Sequence, residues 1–487
     1  MIRSLYNLIE TMDLKTVLTI LGYLLNLVAL FLIVFFERKN HTNSIVWVFT
    51  LFLFPAPIGF VLYLLFGRGP VFGRKARYFN RFHEDARYSS EIMRQIELIN
   101  ASDAQSQVTS LVKYNLRYNE SLFSLRNSVQ VFTDNIEQFE VLMRDIDSAQ
   151  KFINLLFFAI RPDKCGERLR ELLIKKAKQG IEINLVYDDF GSVLLYNEFF
   201  DELREAGGRV VKFFPSRFKF LNINLNYRNH RKIVVIDNKI GHIGSANIGE
   251  QYLGLSKIKY WRDTTLRISG EAVFLLNLRI VEDFNFASKK QAIQPQPYAE
   301  TTEAHPLLPI QIVSDGPDSP DPIIQSCYIK AIYSASKRVY IQTPYLIPDE
   351  VFMEAIKAAI RSNVDVRIII PGVPDKRIVY NCTMSYANEL AAAGCKIYLW
   401  KGFMHSKVLL IDDEISSVGS FNIDIRSFRL NFEVTAFVYD REVNRKLTQG
   451  FDRDIEESKL YDMEAIRKRP IHRKILQRVF RLLSPLF

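Results

Sequence analysis

At 487 residues the chain is too long for a single hydrophobic core and predicts two or more domains. Four cysteines (Cys165, Cys327, Cys382 and Cys395) lack paired or metal-ligand spacing, which argues against a disulfide framework and for reduced structural thiols. A formal net charge of +10, from 64 basic and 54 acidic residues, suits either nucleic acid or an anionic membrane surface as partner.

The apolar content of 48% is unevenly spread. Residues 16–36 and 42–66 carry no charged side chain, and each run suffices for a hydrocarbon layer about 30 Å thick, which takes about 20 helical residues. The connector Glu37-Arg38-Lys39-Asn40-His41 is short, so residues 1–67 read as a transmembrane helical hairpin with both ends on one side. A buried core helix is the plain alternative for either run. A signal peptide fits poorly, because its apolar core usually spans only about 7–15 residues and no small-residue cleavage site follows. Pro55 and Pro57 allow a kink or a re-entrant segment in the second run. Arg68, Arg74, Lys75, Arg77 and Arg81 follow that run, against Arg38 and Lys39 in the connector, and the positive-inside rule places the C-terminal bulk in the cytoplasm. Two anchoring helices turn the choice of anionic partner from nucleic acid to lipid.

Residues 68–130 are polar, mixed in charge and poor in strand signals, and read as a helical connector. From about Glu137 an α/β pattern begins. Residues 152–158 predict a strand, 166–179 a helix through Leu169, Leu172 and Leu173 that Gly180 stops, and 181–187 another strand. The second half repeats this plan: a strand over 338–342, a helix over 350–361 and a strand over 364–370. Two pseudo-symmetric lobes, 131–290 and 291–464, follow from the duplication, with a linker rich in Gln, Pro, Thr and Ala over 287–309. Residues 466–487 contain no acid and seven basic residues, with Ile471, Ile475, Val479, Phe480 and Leu483 at helical spacing. Within the C-terminal segment 465–487, this is either a basic amphipathic helix on anionic lipid or a helix docked on the lobe core with its arginines solvated.

Each lobe carries one copy of His-x-Lys-x4-Asp-x6-Gly-Ser-x-Asn, the two copies 175 residues apart. The first is His230, Lys232, Asp237, Gly244, Ser245 and Asn247; the second is His405, Lys407, Asp412, Gly419, Ser420 and Asn422. A lone His-x-Lys is usually a surface accident, but six matched positions repeated once are not. Two facing half-sites give a pocket with two imidazoles and two ammonium groups, an inventory for phosphodiester chemistry. His and Lys two apart on a strand share a face, with Arg231 and Ser406 pointing away. Asp237 lies five residues beyond Lys232, about 16 Å along a regular strand at roughly 3.3 Å per residue, too far to orient its own histidine. The motif aspartates therefore pin the turn or pair with a base elsewhere.

An imidazole acting as nucleophile needs a partner that fixes its tautomer. Asp263, 33 residues after His230, and Glu433, 28 after His405, lie in segments that should return beside their own motif strands. Lys232, Lys407, Asn247 and Asn422 are candidate donors to non-bridging phosphate oxygens, and Ser245 and Ser420 sit beside glycines that permit close backbone approach. No cluster has metal-ligand spacing, so neither metal nor other cofactor is expected.

The doubled motif resembles that of the phospholipase D superfamily. Asn229-His230-Arg231-Lys232 with Ile236-Asp237, Trp261-Arg262-Asp263-Thr264, Asp424-Ile425-Arg426-Ser427-Phe428 and Asn431-Phe432-Glu433 are similar to its bacterial cardiolipin synthase branch. So are the apolar N-terminal hairpin ending Leu62-Tyr63-Leu64-Leu65-Phe66-Gly67 and the closing Leu483-Ser484-Pro485. The resemblance spans essentially the whole chain. It implies an α/β fold of two phospholipase D-like lobes, with mixed sheets flanked by helices, behind a multi-pass anchor in a bacterial cell membrane. It also implies transphosphatidylation of two phosphatidylglycerol molecules to cardiolipin and glycerol through a phosphatidyl-histidine, with His230 as nucleophile and His405 as acid and base; a homo-oligomer stays open. The rivals are a phospholipase D using water as acceptor, a nuclease of the same superfamily and a non-catalytic scaffold for anionic lipid. Against the nuclease stand the hairpin and the absence of an aromatic-rich basic groove for nucleic acid.

Overall fold

A computed structural model describes residues 13–36, 41–54, 58–66, 86–101, 106–215, 227–255, 258, 260–288, 292–295, 306–319, 321–462, 470–482 and 484. Its compact units are Met1–Asn80 with Ser216–Tyr227, and Arg81–Pro215 with Arg228–Phe487.

The first unit contains helix α1 (Leu14–Phe36), followed by helices His41–Leu53 and Ile58–Phe66, around a small apolar cluster of Ala29, Ile33, Trp47, Leu51 and Tyr63. Among the described residues one helix is long and apolar enough to cross a membrane, over Leu14–Phe31. The second expected span is not a single helix: it stops at Leu53 and resumes at Ile58, on either side of the segment holding Pro55 and Pro57. A proline lacks the amide that would continue the ladder. Residues 37–40 of the hairpin connector and 55–57 lie outside the described residues.

The second unit carries both α/β halves. In the first, strands β1 (Phe123–Phe132), β2 (Phe152–Phe157), β3 (Glu182–Asp188), β4 (Ile233–Ile236), β5 (Ile240–Gly244) and β6 (Thr265–Gly270) are ordered β3-β2-β4-β5-β6-β1. The second contributes β7 (Leu307–Asp315), β8 (Arg338–Gln342), β9 (Asp365–Pro371), β10 (Val408–Ile411), β11 (Ile415–Gly419) and β12 (Asn431–Tyr439), ordered β9-β8-β10-β11-β12-β7. In each, the outer pair is parallel and the remaining pairs are antiparallel, and antiparallel pairing of β1 with β7 joins the halves in one path. The expected strand–helix–strand units lie within a few residues of where the sequence puts them. Their buried strands read as continuous apolar runs because helices cover both faces.

Two boundaries differ from the expected ones. The stretch 68–130 is not only a helical connector, since β1 lies within it and forms the seam between the halves. Its helix Gln107–Asn119 buries Leu111, Val112 and Leu116 in the apolar core of the second half, despite a polar average composition. The expected linker loses its last residues to β7, which begins at Leu307.

Candidate active site

Both motifs occupy the same place in their halves. His230 and Lys232 lie just before β4, and His405 and Lys407 just before β10. A tight turn leads to β5 or β11, with φ of 54° at Asp237 and at Asn238 and of 48° at Asp412, conformations that Asp and Asn tolerate best among non-glycine residues. The motif glycines are fixed by strand packing rather than by approach to a phosphate. A Cβ on Gly244 would come within 2.4 Å of the Thr264 carbonyl oxygen, and one on Gly419 within 2.2 Å of that of Val434.

Asp237 and Asp412 do not join the imidazoles. The Asp237 carboxylate accepts from the backbone amides of Gln150, Lys151 and Phe152, each at 2.8 Å. Asp412 accepts from those of Ser336, Lys337 and Arg338 at 2.8–2.9 Å. Each aspartate ties its motif turn to the start of the adjacent strand. Membership of the doubled motif thus gives Asp237 and Asp412 no contact with an imidazole, and the turn-pinning role that strand length required fits this geometry.

The carboxylates expected to orient the histidines do so across the halves, not within them. His230 Nδ1 lies 3.0 Å from Glu433 Oε1, and His405 Nδ1 lies 2.6 Å from Asp263 Oδ1. Short cross-half pairings explain the exchange. Arg228–Asn229 runs parallel to Asn431–Phe432, and Trp261–Arg262 runs parallel to Phe403–Met404. The His230 amide donates to the Phe432 carbonyl at 2.9 Å, and the His405 amide to that of Arg262 at 2.8 Å. Each histidine is thus registered one step from the opposite carboxylate.

The Nδ1 of His230 also lies 3.1 Å from the carbonyl oxygen of Ser420, a member of the second motif. Both neighbours are acceptors, so Nδ1 carries the hydrogen and Nε2 keeps its lone pair. Glu433 also accepts from the hydroxyls of Ser420 and Ser427 and the amide of Asn431, and Asp263 from the Trp261 indole at 2.9 Å. Lys407 Nζ donates to the His405 carbonyl at 2.6 Å, and Lys232 makes the equivalent bond to His230.

The site is buried and its charges shift accordingly. Burial, opposed by Glu433 and reinforced by Lys232, lowers His230 to about 4. Burial and Lys407, opposed by Asp263, lower His405 to about 3. Burial lowers Lys407 to about 8 against Asp263 and Glu433, and lowers Lys232 as well, with the Lys407 charge adding to the effect. Burial would raise Asp263, but His405 and Lys407 outweigh it and hold the carboxyl at about 2. Both imidazoles are neutral near pH 7, where Lys407 is still largely charged, while Lys232 is held well below the usual lysine range.

The candidate substrate-binding residues divide. Ser245 and Ser420 are committed to the protein: their hydroxyls accept from the amides of Thr264 and Val434 at 3.0 Å, and that of Ser420 donates to Glu433. They support the carboxylate-bearing strands instead of facing a phosphate. Asn247 Oδ1 accepts from the Ala159 amide at 3.1 Å, whereas Asn422 Oδ1 is buried without a hydrogen-bond partner among the described residues. Sequence reasoning missed the aromatic walls. Phe158 packs edge-on to His230 with centroids 5.0 Å apart, and Trp261 and Phe403 lie 5.1 and 5.9 Å from His405. Position within the motif segments was the only signal for Trp261 and Phe403, since aromatic content averaged over the chain locates nothing.

Two imidazoles, each held through Nδ1 by the opposite half, with two lysine amines among them, define a phosphodiester-transferring site of the phospholipase D type. A family model described as a cardiolipin synthase, PLD-like domain matches residues 142–273 and 328–455, and a phospholipase D-nuclease N-terminal model matches 24–68. The chain is 38% identical to the major cardiolipin synthase ClsA of Bacillus subtilis, over 98% of this chain and 100% of that protein. It is 41% identical to cardiolipin synthase 1 of Staphylococcus aureus strain COL, over 97% and 98%. The crystal structure of phosphatidylserine synthase from Haemophilus influenzae shares the fold, with a TM-score of 0.60 at 14% identity, over 77% of this chain and 100% of that one. The chain belongs to the bacterial cardiolipin synthase family of the phospholipase D superfamily and is a phosphatidyltransferase.

Proposed function

We propose that the site moves a phosphatidyl group from one phosphatidylglycerol to a glycerol hydroxyl of a second, yielding cardiolipin and glycerol. The phosphate anion, bound beside the ring, favours its charged form, so His405 takes up a proton on Nε2 as the donor lipid binds. His230 Nε2 attacks phosphorus; the bond from phosphorus to the headgroup glycerol oxygen breaks, and the His405 imidazolium gives that oxygen its proton. The second phosphatidylglycerol then gives its hydroxyl proton to His405, its oxygen attacks phosphorus, and the phosphorus–nitrogen bond breaks, restoring both histidines. Lys232, Lys407 and Asn422 stabilise the five-coordinate phosphorane, where aimed donors each contribute roughly 10²–10³ in rate. The observation that carries this reading is the Nδ1 of His230, tied to both Glu433 and the Ser420 carbonyl of the opposite motif. That arrangement leaves Nε2 with a free lone pair for attack.

The apolar helix α1 and the N-terminal family match support an integral membrane anchor. Basic residues after residue 67 favour a two-pass arrangement with the catalytic halves cytoplasmic.

Purified protein given labelled phosphatidylglycerol in chelator should release glycerol and form cardiolipin in equal amounts. Phosphatidic acid as the main product would favour water as acceptor and sink the transferase reading.

Lys407 sets a pH limit. Its ammonium is lost as the pH rises through about 8, which removes a charge that holds the phosphate. The kcat/KM for phosphatidylglycerol should therefore fall above pH 8, and Lys407→Arg, whose guanidinium stays charged, should keep residual activity without that falling limb. An unchanged limb in the variant would assign it to another group.

A further inference from the structure

The C-terminal helix α3 (Ile471–Leu482) packs on α2 (Arg377–Ala392) with the less expected face. Gln477 is buried and accepts from Asn388 at 3.1 Å, Arg481 pairs with Glu389 at 2.6 Å and lies over the Tyr386 ring at 4.4 Å, and the Ser484 hydroxyl meets that of Tyr386 at 3.1 Å. Among the described side chains of the helix, Phe480 turns an apolar group to the core. Ile471, Ile475 and Val479 point outward, 75%, 56% and 48% exposed.

Those three residues recur every four positions and form one stripe, with the exposed Arg478 on the same side. An ordinary docked helix would bury the stripe and expose Gln477 and Arg481. Here the polar face holds the helix to the protein and leaves the apolar stripe for another occupant. The charge of the segment identifies that occupant: residues 466–487 hold seven basic residues and no acid. A cationic, acid-free helix with an outward apolar stripe matches the acyl boundary of an anionic bilayer, where arginines reach the headgroups while their stems stay with the apolar side chains.

We infer that α3 is a second membrane contact, seating Ile471, Ile475 and Val479 in an anionic lipid surface and holding the catalytic halves at the bilayer from which they draw substrate. The contact goes beyond the assigned chemistry and is read without it. All four native cysteines are buried, so an Ile475→Cys variant of the full chain takes an environment-sensitive fluorophore at that position alone. The labelled protein is reconstituted in vesicles of phosphatidylcholine, or of phosphatidylcholine and phosphatidylglycerol in equal parts. A blue shift with quenching by chain-labelled lipid is expected in the mixed vesicles and not in phosphatidylcholine alone. A water-like label in both, equal insertion in both, or shielding without lipid quenching (a second copy covering the stripe) would each overturn the proposal. The triple variant Ile471→Asp, Ile475→Asp, Val479→Asp should lower cardiolipin formation from mixed vesicles by about tenfold, as expected when apolar insertion is lost. Its thermal unfolding should not change, because no core contact is removed. Full activity in that variant would also overturn it.

Discussion

Replacing His230 with alanine should abolish phosphatidyl transfer, and replacing His405 should lower it comparably, each by roughly 10⁴–10⁶. The two variants separate when the donor carries a leaving group that needs no proton, such as the phosphatidyl ester of 4-nitrophenol. With that donor, His405→Ala should release one equivalent of nitrophenol per site and stop at a trapped phosphatidyl-histidine. The acceptor hydroxyl then lacks the base that would take its proton, so the intermediate persists. His230→Ala should show no burst and no phosphohistidine, because the attacking nitrogen is gone. The physical basis is the unequal seating of the two rings. His230 Nδ1 faces two acceptors, Glu433 and the Ser420 carbonyl, which hold Nε2 as a permanent base. Among the described residues His405 Nδ1 faces one acceptor, Asp263, against two for His230, which suits a ring whose proton comes and goes. A burst in His230→Ala, and none in His405→Ala, would exchange the roles.

The parts of this site that were legible in the sequence are those set by short-range rules. Apolar runs bounded by turn residues located β4 and β10, and alternation along a strand placed His and Lys together with the motif aspartates at the far end. Matched spacing in the two copies required equivalent positions in the two halves, and the strand orders agree. The crossing of Asp263 and Glu433 was not legible, because it depends on which half presents its edge to the other. The segments after these residues do return beside their own motif hairpins, as β6 does against β5 and β12 against β11. Their side chains nevertheless reach the other half's histidine, since the two-residue pairings that set this register leave no periodic trace. Ser245 and Ser420 were misjudged for a related reason. A hydroxyl beside a motif glycine is equally able to face a phosphate or the next strand, and only the strand's position decides. The helix Gln107–Asn119 shows the limit of composition, because three buried apolar residues suffice to join it to a core its polar average conceals.

The crossed pairing makes its own prediction. Asp263→Asn, in the first half, should impair His405, and Glu433→Gln, in the second, should impair His230. An amide can offer its NH₂ to Nδ1 and favour the wrong tautomer, a change that costs about 10⁴ where the carboxylate is the ring's only partner. That is the situation of His405, so Asp263→Asn should lose roughly 10³–10⁴ in kcat. His230 keeps the Ser420 carbonyl as a second acceptor, and Glu433→Gln should lose less, roughly 10²–10³. The 4-nitrophenyl donor then identifies which ring each carboxylate serves. The nitrophenol burst should survive in Asp263→Asn, where only acid and base work is damaged, and should slow in Glu433→Gln, where the attacking nitrogen is. Lesions confined to the histidine of their own half, with the burst slowed in Asp263→Asn and intact in Glu433→Gln, would mean that the working enzyme does not use the exchanged carboxylates. Both side chains keep an acceptor oxygen for their remaining donors, so the variants should fold and the comparison should rest on kinetics alone.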